Sequence, residues 1–464
     1  MTTAVRWLRL TRKRHMAAAV TVCVVLVTSL WVQTSLVMEQ VRSLGEASVT
    51  VATTGPLLAA TMTAPEDEEE EMGEVMTSRW KHYQGVCDVT QGSGGVPGLV
   101  QNPLVYLPAN LSLCWVPKVG CTFWMRIFFY LHNDTESPWN PKPINSPFDI
   151  DRLFVHFDGG QRTKNLRFDD VHEHDVIFLT RRVMFARDPW SRLWSGYIDK
   201  FVLPDSWLDH GKRILRKREE LMLNSTLKNA SQSTIGFSLL KGQRNWTRDE
   251  SQMCSDDVSF AEFLHYALVV NQDPHWSPVH LTCNPCLLRP QLVGKMDTFF
   301  QDAAYVLRTS GLGHLLPESS RRQSSHVMDE VKLLADYHFR LWDRRQALKA
   351  CLDRVGLARR LWRAFQLNGY IPNSEPYPEK LLTDQLNEFT LSEARDIFTN
   401  HVISVSSASS LSRLEWLALR RRTMMAAYRE VPIELLKLVQ ERFKLDFELF
   451  QYNPAPGELF VKNV

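Results

Sequence analysis

Acidic residues are absent from the first 38 positions of the 464-residue sequence, and residues 16–32 carry no charge of either sign. Five basic residues precede this apolar stretch, which continues to Met38 with only three polar breaks. About 20 apolar residues span a bilayer. The lack of a clear small-x-small cleavage site argues against a long signal peptide, which is the alternative. We therefore predict a cytoplasmic tail at residues 1–15 and a transmembrane signal-anchor at residues 16–38.

Aromatic residues are also missing between Trp31 and Trp80. This segment is rich in Thr, Ala and Ser, and it contains the acidic run Glu66–Glu71. Like charges in a row repel one another and resist burial. The sequence therefore predicts an acidic disordered stem at residues 39–80, followed by a folded lumenal domain at residues 81–464.

The chain has no large net charge, since 54 basic and 52 acidic residues leave a formal charge of +2. Most of the acidic excess lies in the predicted stem, so the folded part has a mild basic bias. Such a bias is compatible with small anionic ligands and gives no reason to expect nucleic acid as a partner.

Two further features agree with a lumenal location. The sequence contains five Asn-x-Ser/Thr triplets, each of which is a glycosylation site if it is exposed in the secretory pathway. They begin at Asn110, Asn133, Asn224, Asn229 and Asn245. Cys23 lies in the predicted anchor, and the other seven cysteines are expected to form disulfides in an oxidising compartment. Because seven is odd, at least one is free or pairs between chains.

A Walker motif is missing, which excludes the ordinary nucleoside triphosphate loop. Two segments nevertheless read as a strand that runs through a turn into a helix. The first is strand 111–116 followed by helix 121–130. In the second, either 176–179 or 183–186 is the strand, and a helix begins at Trp190. Such alternation predicts a parallel sheet flanked by helices, with both loops facing one crevice beyond the strand ends. From about residue 319 to 444 the periodicity is helical, interrupted at residues 373–378.

The first loop has the residue types that bind a terminal phosphate. Gly120 lets the backbone approach closely, Thr122 supplies a hydroxyl, and Lys118 supplies a point charge before the exposed N–H groups of a helix. Taken alone, this pattern also describes an ordinary surface turn.

The second loop, Arg187-Asp188-Pro189, opens a helix, and proline suits the first helical turn. This pattern predicts that Arg187 binds a second phosphate and that Ser195, two helical turns later, reaches the same group. The alternative is an Asp-capped helix with an ordinary surface arginine.

Together these segments resemble the Golgi carbohydrate sulfotransferases, the family that contains the chondroitin and dermatan 4-O-sulfotransferases and the HNK-1 sulfotransferase. The resemblance rests on ordered blocks between residues 114 and 452. They are Cys114-x-x-Pro117-Lys118-Val119-Gly120-Cys121-Thr122-x-Trp124, Arg187-Asp188-Pro189-x-x-Arg192-Leu193-x-Ser195, His275-Trp276, Cys283-x-Pro285-Cys286, Val293-Gly294-Lys295-Met296-Asp297-Thr298 with Asp302-Ala303, and Asp446-Phe447-Glu448-Leu449-Phe450-x-Tyr452.

The resemblance implies a P-loop-like α/β fold and PAPS (3′-phosphoadenylyl sulfate) as sulfate donor, without a metal. The residues implied in binding the 5′-phosphosulfate are Pro117, Lys118, Val119, Gly120, Cys121, Thr122 and Phe123. Those implied in holding the 3′-phosphate are Arg187, Asp188, Pro189, Trp190, Ser191, Arg192, Leu193, Trp194 and Ser195. Phe123 departs from the family, which usually has Asn there, and Trp190 and Trp194 are bulkier than expected.

Two residues are predicted to be catalytic. Sulfuryl transfer requires positioning and charge stabilisation. Lys118 is expected to neutralise charge that develops on the leaving nucleotide. His275 is the predicted base for the sugar hydroxyl, because histidine titrates near neutral pH. A structural role for His275 is the alternative, and His174, His280 and carboxylate side chains are other candidates for the base.

The predicted acceptor is a glycan, with the 4-hydroxyl of N-acetylgalactosamine in chondroitin or dermatan first. Glucuronate and a terminal N-acetylgalactosamine on an N-glycan stay open. The basic stretch 212–218 either attracts such an acidic glycan or is a solvated helix face.

Three rival interpretations follow from other patterns. His275, His280, Cys283 and Cys286 have spacings that would also suit zinc. The pattern Asp149-Ile150-Asp151 fits a Golgi glycosyltransferase that uses a nucleotide sugar and a divalent metal. A lectin or scaffold without enzymatic activity is the third class. The predicted location is the Golgi membrane, in type II orientation.

Overall fold

The computed structural model describes residues 66–91, 100–137, 140, 143–158, 170–227, 254–316, 323–409 and 411–460. The predicted tail and anchor lie outside the described residues, as does the predicted stem up to residue 65. Within the described ranges, no helix is long and apolar enough to cross a membrane.

A four-stranded sheet lies among helices, with strand order β1-β2-β3-β4. The strands are β1 (Leu104–Tyr106), β2 (Leu111–Cys114), β3 (Arg181–Ala186) and β4 (Leu292–Lys295). The helices up to the end of the sheet are α1 (Glu66–Gln91), α2 (Cys121–Leu131), α3 (Val171–Leu179), α4 (Pro189–Tyr197), α5 (Lys212–Leu227), α6 (Phe260–His265), α7 (Val279–Thr282) and α8 (Pro285–Leu288). After β4 come α9 (Phe299–Thr309), α10 (Gln323–Arg344), α11 (Gln346–Lys349), α12 (Arg354–Asn368), α13 (Glu379–Glu388), α14 (Leu391–Ala408), α15 (Arg413–Arg429), α16 (Ile433–Arg442), α17 (Lys444–Leu449) and α18 (Gly457–Phe460).

The sheet has a parallel core. β2 pairs with β3 and β3 pairs with β4 in parallel, whereas β1 is antiparallel to β2. All of β2 and nearly all of β3 are buried, as expected for strands covered by helices on both faces. The predicted helix-flanked parallel sheet is confirmed for three strands, and the helical character of the C-terminal part is confirmed as well.

Of the two candidates for the second strand, residues 183–186 are correct. Residues 176–179 belong instead to helix α3. The reason is local, because the Asp170 side chain accepts hydrogen bonds from the backbone N–H groups of His172 and Glu173 and so caps this helix.

Helix α1 begins within the segment predicted to be a disordered stem. Its later turns bury Met76, Tyr83 and Cys87, which recur at helical spacing. Arg79 also forms an ion pair of 2.7 Å with the buried Asp302 on α9. The folded part therefore starts before Trp80, because a helix with one apolar face tolerates an acidic first turn.

Disulfides form between the described cysteines, as the sequence predicts. Cys121, at the start of α2, is the free cysteine among the described residues and accounts for the odd number. The pairs are Cys87–Cys286, Cys114–Cys283 and Cys254–Cys351. The first two attach α1 and β2 to the segment that leads into β4.

The core has two main parts. One lies around the sheet, and the other lies among the C-terminal helices and includes the apolar side of α4. Helix α4 follows the sheet strand β3 after the short second loop, and its apolar side chains pack among the C-terminal helices.

Candidate active site

The first loop connects β2 to α2 in an unusual backbone conformation. Lys118 and Gly120 both have positive φ values, 66° and 74°. Glycine adopts such a φ freely, but a lysine with positive φ is uncommon outside functional turns. A Cβ atom on Gly120 would lie 2.4 Å from the Phe299 ring, so only glycine fits there. Packing against Phe299 therefore restricts the backbone conformation of this loop.

The Lys118 ammonium lies in a buried cluster of charges. Its Nζ is 2.9 Å from Oδ2 of Asp199, while Arg152 donates to the other oxygen of Asp199 at 3.2 Å. Burial is the largest influence on the Lys118 pKa and lowers it, and the Asp199 charge raises it in part. For Asp199, burial raises the pKa, but Lys118, Lys200 and Arg152 together hold it well below its usual value.

The cluster continues away from the loop. Lys200 forms an ion pair with Asp205, which also accepts a hydrogen bond of 2.6 Å from Tyr337. His338 lies beside them, fully buried, and neither ring nitrogen has a hydrogen-bond partner among the residues that the structure describes. Burial lowers the pKa of His338 to about 4, so the ring is neutral at physiological pH. Buried charges add little or nothing to stability. Their concentration beside Lys118 therefore indicates a functional site.

The second loop connects β3 to α4. Asp188 caps α4 by accepting from the backbone N–H of Ser191 at 2.9 Å. Arg187, only 7% exposed, donates through Nε to Ser191 Oγ at 3.0 Å and through Nη1 to the Lys118 carbonyl at 2.9 Å. Burial and the charge of Arg420 lower the Arg187 pKa to about 9. The two predicted loops therefore lie in direct contact.

Arg192 connects three segments of the site. It is 1% exposed, and its guanidinium donates to the carbonyls of Pro117, Pro274 and Ser277. The first carbonyl belongs to the first loop, and the other two flank His275. Arg192 is therefore a buried side chain that joins the first loop to the segment that contains His275.

The remaining residues of the two loops divide by burial. Thr122, Phe123, Ser191 and Ser195 are partly exposed, and Phe123 packs edge-on against Phe299 at 5.2 Å. The buried ones are Val119, Pro189, Trp190, Leu193 and Trp194. Their side chains fill the core, which limits any contribution to a ligand to the backbone and to shaping the loop.

His275 is held by a chain of hydrogen bonds. Its Nδ1 lies 2.6 Å from the Asp273 carboxylate, and His210 approaches the other oxygen of Asp273 at 3.4 Å. Because a carboxylate accepts, Nδ1 carries the proton and Nε2 is left as an acceptor. Burial lowers the pKa of His275, Asp273 opposes this, and the charges of Lys200 and Lys118 lower it further. The effect of Lys118 places His275 within electrostatic reach of the first loop.

A second histidine, His156, adjoins the first loop. Its Nε2 is 3.0 Å from Oγ1 of Thr122. The surrounding protein lowers the pKa of His156, as do the charges of Arg152 and Lys200. His156 is exposed to solvent, which screens part of that effect.

The structure adds residues that no motif singled out, namely Arg152, His156, Asp199, Lys200 and His210. Two sequence signals were available for Asp199 and Lys200. They follow α4 directly, and an Asp-Lys pair inside the apolar run 198–203 is unusual. No local signal marks Arg152 or His156, because tertiary packing alone brings them to the loop.

Other sequence candidates have structural partners. His280 lies 2.7 Å from the buried Asp446, and Cys283 and Cys286 are in disulfides. Asp149 closes a helical turn, and Asp151 pairs with Arg340. In the described ranges, no three His, Cys, Asp or Glu side chains are placed to hold a metal.

The basic stretch 212–218 lies at the start of α5. Arg218 is buried in ion pairs with Asp257 and Glu262, whereas Arg213 and Arg216 are exposed. At least one of its cations is therefore structural.

These observations define an α/β protein with two cationic loops at the carboxyl ends of adjacent parallel strands, which is where such folds bind anions. A model described as "Sulfotransferase family" matches residues 106–361, more than half of the chain. The chain therefore belongs to the sulfotransferase family.

The relatives are carbohydrate sulfotransferases, which confirms the resemblance noted in the sequence. Human carbohydrate sulfotransferase 9 is 30% identical over 235 residues, covering 49% of this chain and 45% of that protein. Rat carbohydrate sulfotransferase 11 is 28% identical over 247 residues, covering 50% of this chain and 60% of that protein. Mouse carbohydrate sulfotransferase 12 is 29% identical over 231 residues, covering 47% and 50%. The chain thus spans about half the length of these relatives, and no solved structure matches it.

Proposed function

We propose that this protein is an enzyme that transfers the sulfuryl group of PAPS to a hydroxyl group of a glycan. The observation that carries the proposal is the 2.9 Å hydrogen bond from Arg187 to the Lys118 carbonyl, which joins two cationic loops. A donor with phosphate groups at both ends of its nucleoside needs two such binding points. The family match supports sulfuryl transfer, and the relatives' names support a carbohydrate acceptor.

In this proposal the fold is the PAPS-dependent sulfotransferase version of the α/β sheet. Residues 117–123 hold the 5′-phosphosulfate, and residues 187–195 hold the 3′-phosphate. The chemistry of the loops fits these groups. Gly120 and the start of α2 offer backbone N–H groups, while Lys118 and Arg187 offer positive charge. Lys118 must loosen its contact with Asp199 to reach the donor.

The reaction forms one bond and breaks another. The acceptor oxygen bonds to sulfur as the bond between sulfur and the bridging oxygen breaks, and adenosine 3′,5′-bisphosphate leaves. Lys118 neutralises the charge that develops on the leaving phosphate. The acceptor proton passes to Nε2 of His275, whose Nδ1 is held by Asp273. His156 is the second candidate for the base, because it adjoins Thr122 in the first loop.

The proposed acceptor hydroxyl is the 4-position of N-acetylgalactosamine in chondroitin or dermatan. The proposed location is the Golgi membrane, with a type II anchor at residues 16–38, a stem after it and the enzyme domain in the lumen. The disulfides among the described cysteines support an oxidising compartment.

The alternative glycosyltransferase function is not favoured. Asp149 and Asp151 accept hydrogen bonds from the backbone or from Arg340 and so are occupied within the fold. The family match points to a different transfer reaction.

The test is the transfer of radiolabelled sulfate from PAPS to desulfated chondroitin, dermatan and heparosan by the full chain in detergent. Lys118→Ala is the active-site variant, and Lys437→Ala, at an exposed lysine on α16, is its matched control. Label on an acceptor that is lost only with Lys118→Ala supports the proposal. No label on any acceptor, together with no thermal stabilisation by adenosine 3′,5′-bisphosphate, would refute it.

A further inference from the structure

Helix α15 lies outside the residues that match the family, yet it packs on the second loop. The Tyr428 hydroxyl donates to the carbonyl of Trp190 at 2.8 Å, and the two rings meet edge-on at 5.2 Å. Trp190 is the second residue of α4 and follows Arg187 by three positions. The C-terminal helices are therefore attached directly to the segment proposed to hold the 3′-phosphate.

Arg420 lies on the packed face of α15. It precedes Met424 and Tyr428 by one and two turns, and both of these are buried. The helix is also pressed against the end of α12 at Gly369. A Cβ atom on Gly369 would lie 3.0 Å from Cβ of Arg420. The stem of Arg420 is thus held in place by the packing of two helices.

No carboxylate pairs with the Arg420 guanidinium within the described ranges, whereas the adjacent Arg421 pairs with Glu458 at 2.9 Å. The cation near Arg420 is Arg187, whose pKa it lowers more than any other charged group does. Asp188 and Asp297 are also near Arg187, but Asp188 caps α4 and Asp297 accepts from Tyr452. Two guanidinium groups near each other repel, and an anion that binds both removes this repulsion.

Tyr370 follows Gly369 and adds a hydroxyl to the same place. No hydrogen-bond partner for this hydroxyl occurs among the described side chains and backbone groups. Burial raises the pKa of Tyr370, as does Glu330, while Arg420 and Arg187 lower it. Tyr370 therefore lies within electrostatic reach of both arginines.

We propose that Arg420, assisted by Tyr370, binds the 3′-phosphate of the nucleotide together with Arg187. The inference rests on the proposed function and extends it, because the helices beyond residue 361 then complete the donor site. The same chemistry would also suit a sulfate or carboxylate of the acceptor glycan, so the experiment must separate the two sources.

The test compares two nucleotides by calorimetry on the full chain in detergent. Adenosine 3′,5′-bisphosphate has the 3′-phosphate and 5′-AMP lacks it. Arg420→Gln should weaken the bisphosphate about 10- to 100-fold, as expected for the loss of a charge-assisted hydrogen bond, and leave 5′-AMP unchanged. Tyr370→Phe should weaken the bisphosphate about threefold. Arg422→Gln, at an exposed neighbour on α15, should change neither affinity.

Other outcomes would overturn the inference. Equal losses for both nucleotides with Arg420→Gln would mean that the residue is structural, and Arg420→Lys, which keeps the stem and charge, guards against misfolding. Unchanged nucleotide affinity with weaker glycan binding would assign Arg420 to the acceptor. A wild-type chain that binds the bisphosphate no better than 5′-AMP would refute the proposed function itself.

Discussion

The two loops beyond the parallel strands look alike in sequence but differ in how their cations are paired. Each follows a buried strand and opens a helix. Lys118 in the first loop already has an internal carboxylate, Asp199, at 2.9 Å. Arg187 in the second loop bonds a carbonyl and a hydroxyl, and no carboxylate within the described ranges forms an ion pair with it.

This difference in pairing between Lys118 and Arg187 suits the two different ends of one PAPS molecule. At the reacting end the charge changes during transfer, and a flexible ammonium with an exchangeable partner can follow that change. At the other end the 3′-phosphate does not change, and a rigid guanidinium held in place suits it. On this account Lys118 mainly raises kcat, and Arg187 mainly raises the affinity for the donor.

The largest effect is expected from Lys118→Ala. Loss of the ammonium should lower kcat by about 10²–10³ with a smaller change in KM for PAPS. Steady-state kinetics of sulfate transfer measure both. If KM rose while kcat stayed the same, Lys118 would be an anchor like Arg187, and the comparison would fail.

Replacement of the proposed base, His275→Asn, should lower kcat by about 10². In the wild type, burial lowers the pKa of His275 below its ordinary value of 6.5, so the acidic limb of kcat against pH should fall below pH 6.5. The variant should lose this limb. Retention of the limb in His275→Asn and its loss in His156→Asn would move the role to the histidine beside Thr122.

Arg187→Gln should raise KM for PAPS about 10- to 100-fold and leave kcat nearly unchanged, because the lost interaction is the same in ground and transition states. Arg181→Gln, a partly exposed arginine at the far end of β3, is the matched control. A fall in kcat equal to that of Lys118→Ala would show that the loops do not divide the work.

The smallest effect is expected from Asp199→Asn. The carboxylate raises the pKa of Lys118, so its loss should lower that pKa further. Lys118 acts in its charged form, and the alkaline limb of the rate profile should therefore move to lower pH, with only a severalfold change at neutral pH. If the alkaline limb did not move in Asp199→Asn, Asp199 would not set the pKa of Lys118.

The two regions also differ in how well sequence predicts them. The first loop, the second loop and the helices after them follow from turn residues and hydrophobic periodicity, because these signals are local. The choice between residues 176–179 and 183–186 was not settled by periodicity, since short apolar runs suit either a helix or a strand. The acidic run before Trp80 predicted a stem, whereas the apolar face of α1 draws part of that segment into the fold.

The residues that contact the two loops could not be predicted from the sequence. Arg152, Asp199 and Arg420 are separated from Lys118 and Arg187 by tens to hundreds of positions, and only packing brings them together. Arg192 shows the same limit in another way. Its place in the motif suggested a ligand contact, but its guanidinium donates to three backbone carbonyls and holds the loops in register.

The most direct test of the division between the loops is the affinity of each variant for two halves of the product, 3′-AMP and 5′-AMP, measured by calorimetry on the full chain. Lys118→Ala should lose affinity for 5′-AMP and bind 3′-AMP as the wild type does, and Arg187→Gln should show the reverse. Equal losses of both nucleotides in both variants, or the opposite assignment, would contradict the account.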